Sequence, residues 1–255
     1  TNGFNMGISS NIGGMGGLTK LGSGTLSLLG TNSYSGTTTV AAGVLLGNSG
    51  SFPGNIVNNT LVIFDQSTTG SYSGSMTGPG TLTKENSGTL ILLGSNAYSG
   101  GTNVTQGTLQ GNSSSLQGNI ALSPSTVLTF DQSTNGTFSG AVTGNSTTTM
   151  NKTGSGTLSI AGDVSGMLGP TNLSQGKLVL NSLLGGSLSV FSSAILSGTG
   201  TISGDLFIES GATVAPGNSI GTLTILQDYT QAAGTTYEVQ INGSGQSSLL
   251  DIHGA

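Results

Sequence analysis

Cysteine, tryptophan and arginine are absent from this 255-residue chain, and histidine occurs once. Without cysteine the chain forms neither disulfides nor thiolate metal sites. Only 5% of the residues are charged, against about 25% in an ordinary soluble protein. The net charge is −5, and the few cations cannot build the basic face that nucleic-acid binding requires. The cations are Lys20, Lys84, Lys152 and Lys177.

Long apolar runs are also missing. No stretch approaches the ~18 unbroken apolar residues of a membrane-spanning helix, and no polybasic segment is present that would bind anionic lipid. No signal peptide begins at Thr1, so we expect the chain to be an excerpt from a longer protein. The absence of cysteine fits a chain that crosses the bacterial periplasm unfolded. A low-complexity repeat that never acquired cysteine explains it equally well.

The chain instead contains internal repeats. One segment occurs three times, as Gly24–Gly30, Gly88–Gly94 and Gly156–Gly162. Each copy follows a short tag that ends in lysine, namely Leu18–Lys20, Leu82–Lys84 and Met150–Lys152. A second motif lies between the copies, as Phe64–Gly70 and Phe130–Gly136. Such repeats indicate stacked structural units rather than one globular core.

Short strand-like runs separated by Gly, Asn and Ser clusters favour an all-β fold, a parallel β-solenoid. Coils of roughly 20–25 residues predict about ten to twelve coils, with three coils per repeat and a rise of ~4.8 Å per coil. The alternative is a set of antiparallel β-sandwiches or barrels, with hairpins at Asn135-Gly136 and Asn242-Gly243. The predicted strands are Thr25–Leu29, Thr38–Ala41, Leu61–Phe64, Thr89–Leu93, Val127–Phe130, Thr157–Ile160, Lys177–Leu180, Leu206–Ile208, Thr222–Leu226 and Tyr237–Ile241.

Equivalent apolar positions of the repeats are predicted to point inward as ladder residues. These are Leu26, Leu28, Leu90, Leu92, Leu158 and Ile160. The last sixty residues do not follow the repeat pattern. We therefore predict repeat-built coils over residues 1–195 and a C-terminal cap over residues 196–255. This cap is predicted to contain the folding nucleus, formed by Leu223, Ile225, Tyr229, Val239 and Ile241.

The residues offer little to catalysis. His253 lies two positions after Asp251 and would share a strand face with it, but no nucleophile elbow accompanies the pair. Asp65 and Asp131 follow strands, where they are expected to accept backbone N–H bonds in a turn. No calcium-binding nonapeptide occurs. We therefore predict a non-enzymatic protein without catalytic residues, cofactor or metal. The aromatic residues before corner glycines, among them Tyr34 and Tyr98, either pack inward, which we favour, or form a row for glycans.

The segment Gly24–Leu45 resembles the passenger-associated transport repeat of bacterial autotransporters (type Va secretion). Gly88–Leu109 resembles it again, and Gly156–Leu178 is a third copy that lacks its Asn and Tyr. The region from about Gly198 to Ala255 is similar to the conserved end of such passengers, which includes the autochaperone; Ala215–Gly221 is its most specific part. Because the given residues include neither the family's signal peptide nor its C-terminal translocator barrel, we expect the chain to be the C-terminal section of a passenger.

This resemblance implies a right-handed parallel β-helix at the bacterial cell surface, or secreted, after passage through the periplasm and outer membrane. It implies export C-terminus first, with C-terminal coils that template the rest. The expected partner is the protein's own outer-membrane translocator barrel. The implied function is a stalk that also promotes folding and export. The alternative is an adhesin or self-associating module that contacts host surface molecules or other cells.

Overall fold

The computed structural model describes residues 3–254, and that range contains strands and turns without a helix. Nothing in it could therefore cross a bilayer as a helix. The chain divides into two compact units, one ending at Thr126 and one beginning at Val127. Thr1, Asn2 and Ala255, which fall in the predicted regions 1–195 and 196–255, lie outside the described residues.

The first unit contains fifteen short strands, each limited by a turn or bend. They are β1 (Met6–Ile8), β2 (Leu18–Lys20), β3 (Thr25–Leu28), β4 (Thr38–Val40), β5 (Val44–Gly47), β6 (Ile56–Asn58), β7 (Leu61–Asp65), β8 (Gly70–Tyr72), β9 (Met76–Gly78), β10 (Thr81–Glu85), β11 (Thr89–Leu92), β12 (Ala97–Tyr98), β13 (Thr102–Val104), β14 (Thr108–Gly111) and β15 (Ile120–Leu122).

Three parallel faces are built from these strands. Sheet 1 has the order β1-β3-β5-β7-β10-β13-β15, sheet 2 the order β2-β4-β6-β9-β12, and sheet 3 the order β8-β11-β14. Paired residues in neighbouring strands are 17 to 20 positions apart, as in Leu45 with Val62 and Met6 with Leu26. The coils of this unit therefore lie at or below the short end of the expected range.

Shorter coils change the geometry of the repeat. Leu26, Leu45, Val62 and Leu82 are successive partners in sheet 1. Three coils thus end at Leu82, and Leu90, the repeat equivalent of Leu26, lies in sheet 3. The expectation of three coils per repeat was therefore wrong. With coils this short, the distance from the first repeat to the second is longer than three full coils, and the second repeat begins on the next sheet of the following coil.

The second unit contains seventeen strands. They are β16 (Val127–Asp131), β17 (Gly136–Phe138), β18 (Val142–Gly144), β19 (Thr149–Thr153), β20 (Thr157–Ile160), β21 (Thr171–Leu173), β22 (Lys177–Leu180), β23 (Leu183–Leu184), β24 (Leu188–Val190), β25 (Ile195–Gly198), β26 (Thr201–Ile202), β27 (Leu206–Ile208), β28 (Thr213–Pro216), β29 (Thr222–Ile225), β30 (Tyr229–Gln231), β31 (Thr236–Tyr237) and β32 (Leu249–Ile252).

These strands also form three parallel faces. Sheet 4 has the order β16-β19-β21-β24-β27-β30, sheet 5 the order β17-β20-β22-β25-β28-β31, and sheet 6 the order β23-β26-β29-β32. Together the two units contain about 12 turns of a β-solenoid. The predicted parallel solenoid is confirmed and the antiparallel alternative is wrong. Among residues 3–254, antiparallel contacts are confined to the isolated bridges Gly198–Gly217 and Ile241–Ser247.

The core lies inside each stack and follows from the period-2 alternation of the strands. In β11, Leu90 and Leu92 are buried while Thr89 and Ile91 face outward. The same alternation recurs in β3, β20 and β22. Each leucine buried in this way contributes about 1.5–3 kcal/mol relative to an exposed one. Parallel stacking of such strands therefore gives a continuous apolar interior.

The predicted strand Tyr237–Ile241 was wrong beyond its first residue. Strand β31 ends at Tyr237, and the chain then enters a turn in which Asn242 Oδ1 accepts the N–H groups of Ser244 and Gln246. This turn diverts the backbone from the ladder. As a result, Val239 is 45% and Ile241 71% exposed. The alternating apolar residues predicted a strand here, and the pattern gave no sign that the turn at Asn242 would end it.

Candidate functional site

The lysine of each repeat tag is buried, which is rare for a cation. Lys20, Lys84 and Lys152 are 1%, 0% and 2% exposed. Each lysine lies two residues after an apolar residue in the same strand. Because side chains alternate along a strand, the lysine and that apolar residue point to the same side, toward the core. A buried ammonium is unfavourable unless hydrogen bonds replace its water. The surroundings of each lysine therefore have to supply acceptors.

Three backbone carbonyls in matching positions surround each ammonium, and Lys84 Nζ also donates to Gln66 O at 3.5 Å. In the second repeat, Lys84 Nζ donates to Glu85 O at 2.9 Å, Asn86 O at 2.6 Å and Gln106 O at 3.1 Å. The first two acceptors belong to the corner that follows the lysine, and the third belongs to the next coil. The other two repeats have the same arrangement: Lys20 donates to Leu21, Gly22 and Ala42, and Lys152 donates to Thr153, Gly154 and Gln175. We call this arrangement the lysine corner.

A glycine one residue after the distant acceptor completes the lysine corner. Gly43, Gly107 and Gly176 have φ of +70°, +69° and +69°. A Cβ at Gly43 would lie 2.5 Å from Gly22 O and 2.7 Å from Lys20 Nζ. Such contacts and the left-handed backbone both exclude other residues. The Gly-x-Leu end of each repeat is thus required by the same corner that binds the lysine.

The second repeated motif lies directly beneath the lysine corner. Phe64 is the ladder partner of Lys84, and Phe130 is the partner of Lys152. Gln66 N–H donates to Glu85 O, which joins the two motifs through the backbone. The sequence treats these motifs as separate. Each phenylalanine precedes its lysine by about one coil, and this spacing is the signal that the two motifs form one site.

Asp65 does not act as expected. It was predicted to accept a backbone N–H in a turn, but its carboxylate accepts the side-chain amide of Asn86. The corner bonds are made by its neighbour instead, since Gln66 Oε1 accepts Ser49 N–H and Gln66 Nε2 donates to Thr68 O. The outward direction of Asp65 at the strand end keeps its carboxylate away from backbone donors.

The charge state of the corner is set by burial. Burial lowers the pKa of Lys84 to about 8, while the nearby Asp65 carboxylate acts in the opposite direction. Burial likewise lowers the pKa of Lys152 to about 8, opposed by Asp131. The pKa of Lys20 is also lowered by burial. At neutral pH the side chains of Lys84 and Lys152 therefore remain charged donors.

The first two repeats contain a further pair of polar clamps. Asn96 Oδ1 accepts Met76 N–H at 2.7 Å, and Asn96 Nδ2 donates to Ser115 O at 2.7 Å, so one side chain joins three coils. Asn32 makes the same two bonds with Ile12 and Ser51. The phenol of Tyr98 is 2.6 Å from Thr102 Oγ1. Tyr34 pairs with Thr38 in the same way.

The tyrosines are core residues. Tyr34, Tyr72 and Tyr98 are 1–3% exposed, and Phe138 is 2% exposed. The inward packing favoured from sequence is confirmed, and an external aromatic row for glycans is wrong. Burial raises the pKa of Tyr98 to about 12.

The third repeat lacks these clamps. Val164 occupies the place of the Asn, and it is fully buried. Thr171 is the equivalent of Thr102, but Gly166 stands where the tyrosine would be. Thr171 Oγ1 is consequently one of three buried side-chain oxygens that lack a hydrogen-bond partner within residues 3–254.

The structure places the other residues singled out in the sequence as follows. The six ladder positions are buried, with at most 6% exposure: Leu26, Leu28, Leu90, Leu92, Leu158 and Ile160. In the C-terminal region, Leu223 and Ile225 are fully buried and Tyr229 is half-buried. Val239 and Ile241 face solvent. The folding nucleus itself stays a prediction.

The Asp–His pair singled out in the sequence lies at the surface. His253 Nε2 is 3.0 Å from Asp251 Oδ2, but their side chains are 54% and 46% exposed. A solvated pair of this kind contributes little. Residues 3–254 contain no group of three or more His, Asp or Glu side chains placed to hold a metal ion. What the lysine corners can do is structural, because they fix successive coils to each other.

A known repeat family matches the same three segments that contain the lysine corners. The passenger-associated-transport-repeat model matches residues 18–46, 82–110 and 150–180. Each match begins at the lysine tag and ends after the Gly-x-Leu segment. The three matches therefore coincide with the three lysine corners.

Two curated relatives are similar over part of the chain. One is the "Adhesin BmaC autotransporter" of Brucella suis biovar 1 (strain 1330), 34% identical over 165 residues, which are 51% of this chain and 5% of that protein. The other is an "Extracellular serine protease" of Serratia marcescens, 36% identical over 101 residues, which are 40% of this chain and 10% of that protein. The chain thus spans a tenth or less of these relatives. No solved structure matches it.

The repeats and the relatives support an autotransporter passenger domain, and the predicted family is confirmed. Passenger relatives imply a protein that is displayed at the surface or secreted. The repeat region has a passenger-domain role.

Proposed function

We propose that this segment is a non-catalytic stalk of the passenger that also promotes its folding and export across the outer membrane. The observation that carries the proposal is the lysine corner. In each corner one lysine ammonium donates to three carbonyls and thereby fixes two coils to each other. The same arrangement occurs in all three repeats. A chain with 5% charged residues otherwise has few charges to desolvate as it folds.

The lysine corner has a direction. The distant acceptor lies 22 residues after Lys20, 22 after Lys84 and 23 after Lys152, always in the following coil. If the C-terminal coils fold first outside the cell, each arriving coil finds this carbonyl already in place. Its lysine then exchanges water for three fixed acceptors. Such stepwise growth from one end is a property of one-dimensional stacks, and it opposes sliding of the chain back through the membrane.

Growth of this kind needs a nucleus that is stable by itself, and we place it in the C-terminal coils. Leu223 and Ile225 in β29 are both fully buried, and β29 pairs with β26 on one side and β32 on the other. Nucleation must offset the entropy of ordering the first coils. Buried apolar side chains that contact two neighbours are suited to this. The translocator barrel of the same protein is the expected partner during export.

The test uses the full-length passenger with its translocator, expressed in bacteria and followed by surface display and protease accessibility. The double change Leu223→Asp with Ile225→Asp buries two unpaired charges in the proposed nucleus. We expect it to stall display and to leave the whole segment protease-sensitive. The matched change Leu26→Asp with Leu28→Asp is expected to loosen only the N-terminal coils.

The exposed pair Val239→Asp with Ile241→Asp is the charge-matched control, and it should display normally. Equal loss of display from the Leu26 and Leu223 pairs would contradict a C-terminal nucleus. Normal display of the Leu223 pair would contradict it as well.

A second candidate function is adhesion. The relative that covers about half of this chain is named an adhesin, and the outward positions of sheet 2 are small and uncharged, as in Thr19, Thr39 and Thr77. Deleting the repeat coils while the C-terminal coils are kept separates the two functions. Loss of cell binding with retained display would favour adhesion for this segment.

A further inference from the structure

Lys177 is unlike the other lysines. It is the one lysine within residues 3–254 that is not buried and whose ammonium has no hydrogen-bond partner. Its place in the repeat is taken by Val44 in the first copy and Thr108 in the second. The third repeat therefore presents a cation where the first two present none.

Lys177 lines a groove of about 420 Å³ in the second unit. The volume is within the range of small-ligand sites. The groove offers hydroxyl groups from Ser155 and Ser193, an amide from Gln175 and an apolar surface from Ile195. Ile195 is the ladder partner of Lys177, so the apolar surface and the cation are adjacent.

The groove wall is rigid because it is the outer side of a lysine corner. Gly154 O and Gln175 O accept hydrogen bonds from the buried Lys152 at 2.7 and 3.0 Å. Ser155 and the Gln175 side chain extend outward from those fixed positions. Ser193 has φ of +67°, a left-handed conformation that serine seldom adopts. Backbone strain of this type often accompanies binding sites.

We propose that this groove binds a carboxylate-bearing sugar. The ammonium of Lys177 pairs with the carboxylate, the hydroxyl and amide groups bind sugar hydroxyls, and Ile195 packs on the C–H face of the ring. A simple anion would use the lysine but leave Ser155, Ser193 and Gln175 without a role. This inference is independent of the stalk function, because a stalk that folds normally can lack the binding activity.

A second copy of the chain is a less suitable ligand. Its carboxylates are sparse, with nine Asp and Glu in the whole sequence. Asp65 and Glu85 lie in a groove of their own, of about 230 Å³, together with Asn86, Thr105 and Gln106. These two carboxylates are poorly placed to reach a second groove. A free sugar acid has no such constraint.

The experiment is an NMR titration of the full 255-residue chain with galacturonic acid, N-acetylneuraminic acid, galactose and acetate. We expect weak binding of at least one sugar acid, with shifts centred on Lys177 and Ser193. Lys177→Thr, the residue of the second repeat, is expected to weaken binding about tenfold, the value of a charge-assisted hydrogen bond. Lys177→Arg keeps the charge and should bind within about twofold of the parent.

The double variant Lys177→Thr with Thr39→Lys restores the net charge at an outward position of the first unit. It should not restore binding. Comparing galacturonate with N-acetylneuraminate distinguishes the two classes of sugar acid. Equal shifts with galactose, equal shifts with acetate, or unchanged binding by Lys177→Thr would each overturn the proposal.

Discussion

The second and third repeats keep the same lysine corner but differ in the polar clamps that follow it. The second repeat has Asn96 and the Tyr98–Thr102 pair. The third has Val164 in place of the Asn and leaves the Thr171 hydroxyl unpaired. Both repeats nonetheless form coils with buried ladders. The comparison teaches that the lysine corner is the part that both repeats keep, and that the clamps can be exchanged for apolar packing.

The largest expected effect comes from removing the lysine of the corner that both repeats share. Lys84→Met and Lys152→Met keep the aliphatic stem but remove the donor, which leaves the part-buried carbonyls of each corner without it. We expect each to lower the free energy of unfolding by about 3–5 kcal/mol, because a hydrogen bond to a charged donor contributes about 1.5–3 kcal/mol and each variant loses several. Urea unfolding followed by circular dichroism measures the loss.

Lys177→Met is the control, and at its surface position it should change stability by about 0.5 kcal/mol or less. If Lys152→Met proved harmless while Lys84→Met was damaging, the corner would not be common to both repeats.

The next effect tests the difference between the repeats. Thr102→Val removes the partner of the buried Tyr98 phenol and should destabilise by about 1–3 kcal/mol. Thr171→Val removes a hydroxyl that already lacks a partner, and it should be neutral or stabilising. The readout is again the urea midpoint. Equal losses at both positions would show that threonine has a role there other than its hydrogen bond.

The last test concerns pH. The folded-state pKa of Lys84 and Lys152 is about 8, below their ordinary value of 10.5. Below about pH 8 both states bind the protons equally. Between about pH 8 and 10 the unfolded chain binds more protons than the folded one, so the free energy of unfolding rises. Above about pH 10 the buried tyrosines reverse this trend, since their pKa is raised, for Tyr98 to about 12.

Urea midpoints at about pH 7.5 and 9.5 test this sign. The midpoint is expected to rise, and less so in Lys84→Met. A midpoint that falls over this interval would mean that the carbonyls and Asp65 hold the proton more strongly than burial releases it.

The sequence was informative where the signal is local. Alternation in Thr25–Leu28 and Thr89–Leu92 sufficed to predict strands, and the repeats sufficed to predict a parallel stack. The lysine corner was not predicted, because its third acceptor is 22 residues away from Lys84. A signal was present, since Lys84 shares the parity of Leu82 in β10. The loop containing Ile241 was missed because side-chain bonds of Asn242 take precedence over its apolar pattern.

The position of the third acceptor also has a mechanical consequence. Each buried lysine joins its own corner to the coil that follows through one hydrogen bond, so an axial pull loads that bond together with the strand pairs between the two coils. These bonds break as a set when the coil detaches. A coil of about 20 residues then extends to roughly 66–72 Å. Within each unit, the repeats should therefore yield under force in discrete steps of one coil rather than by gradual stretching.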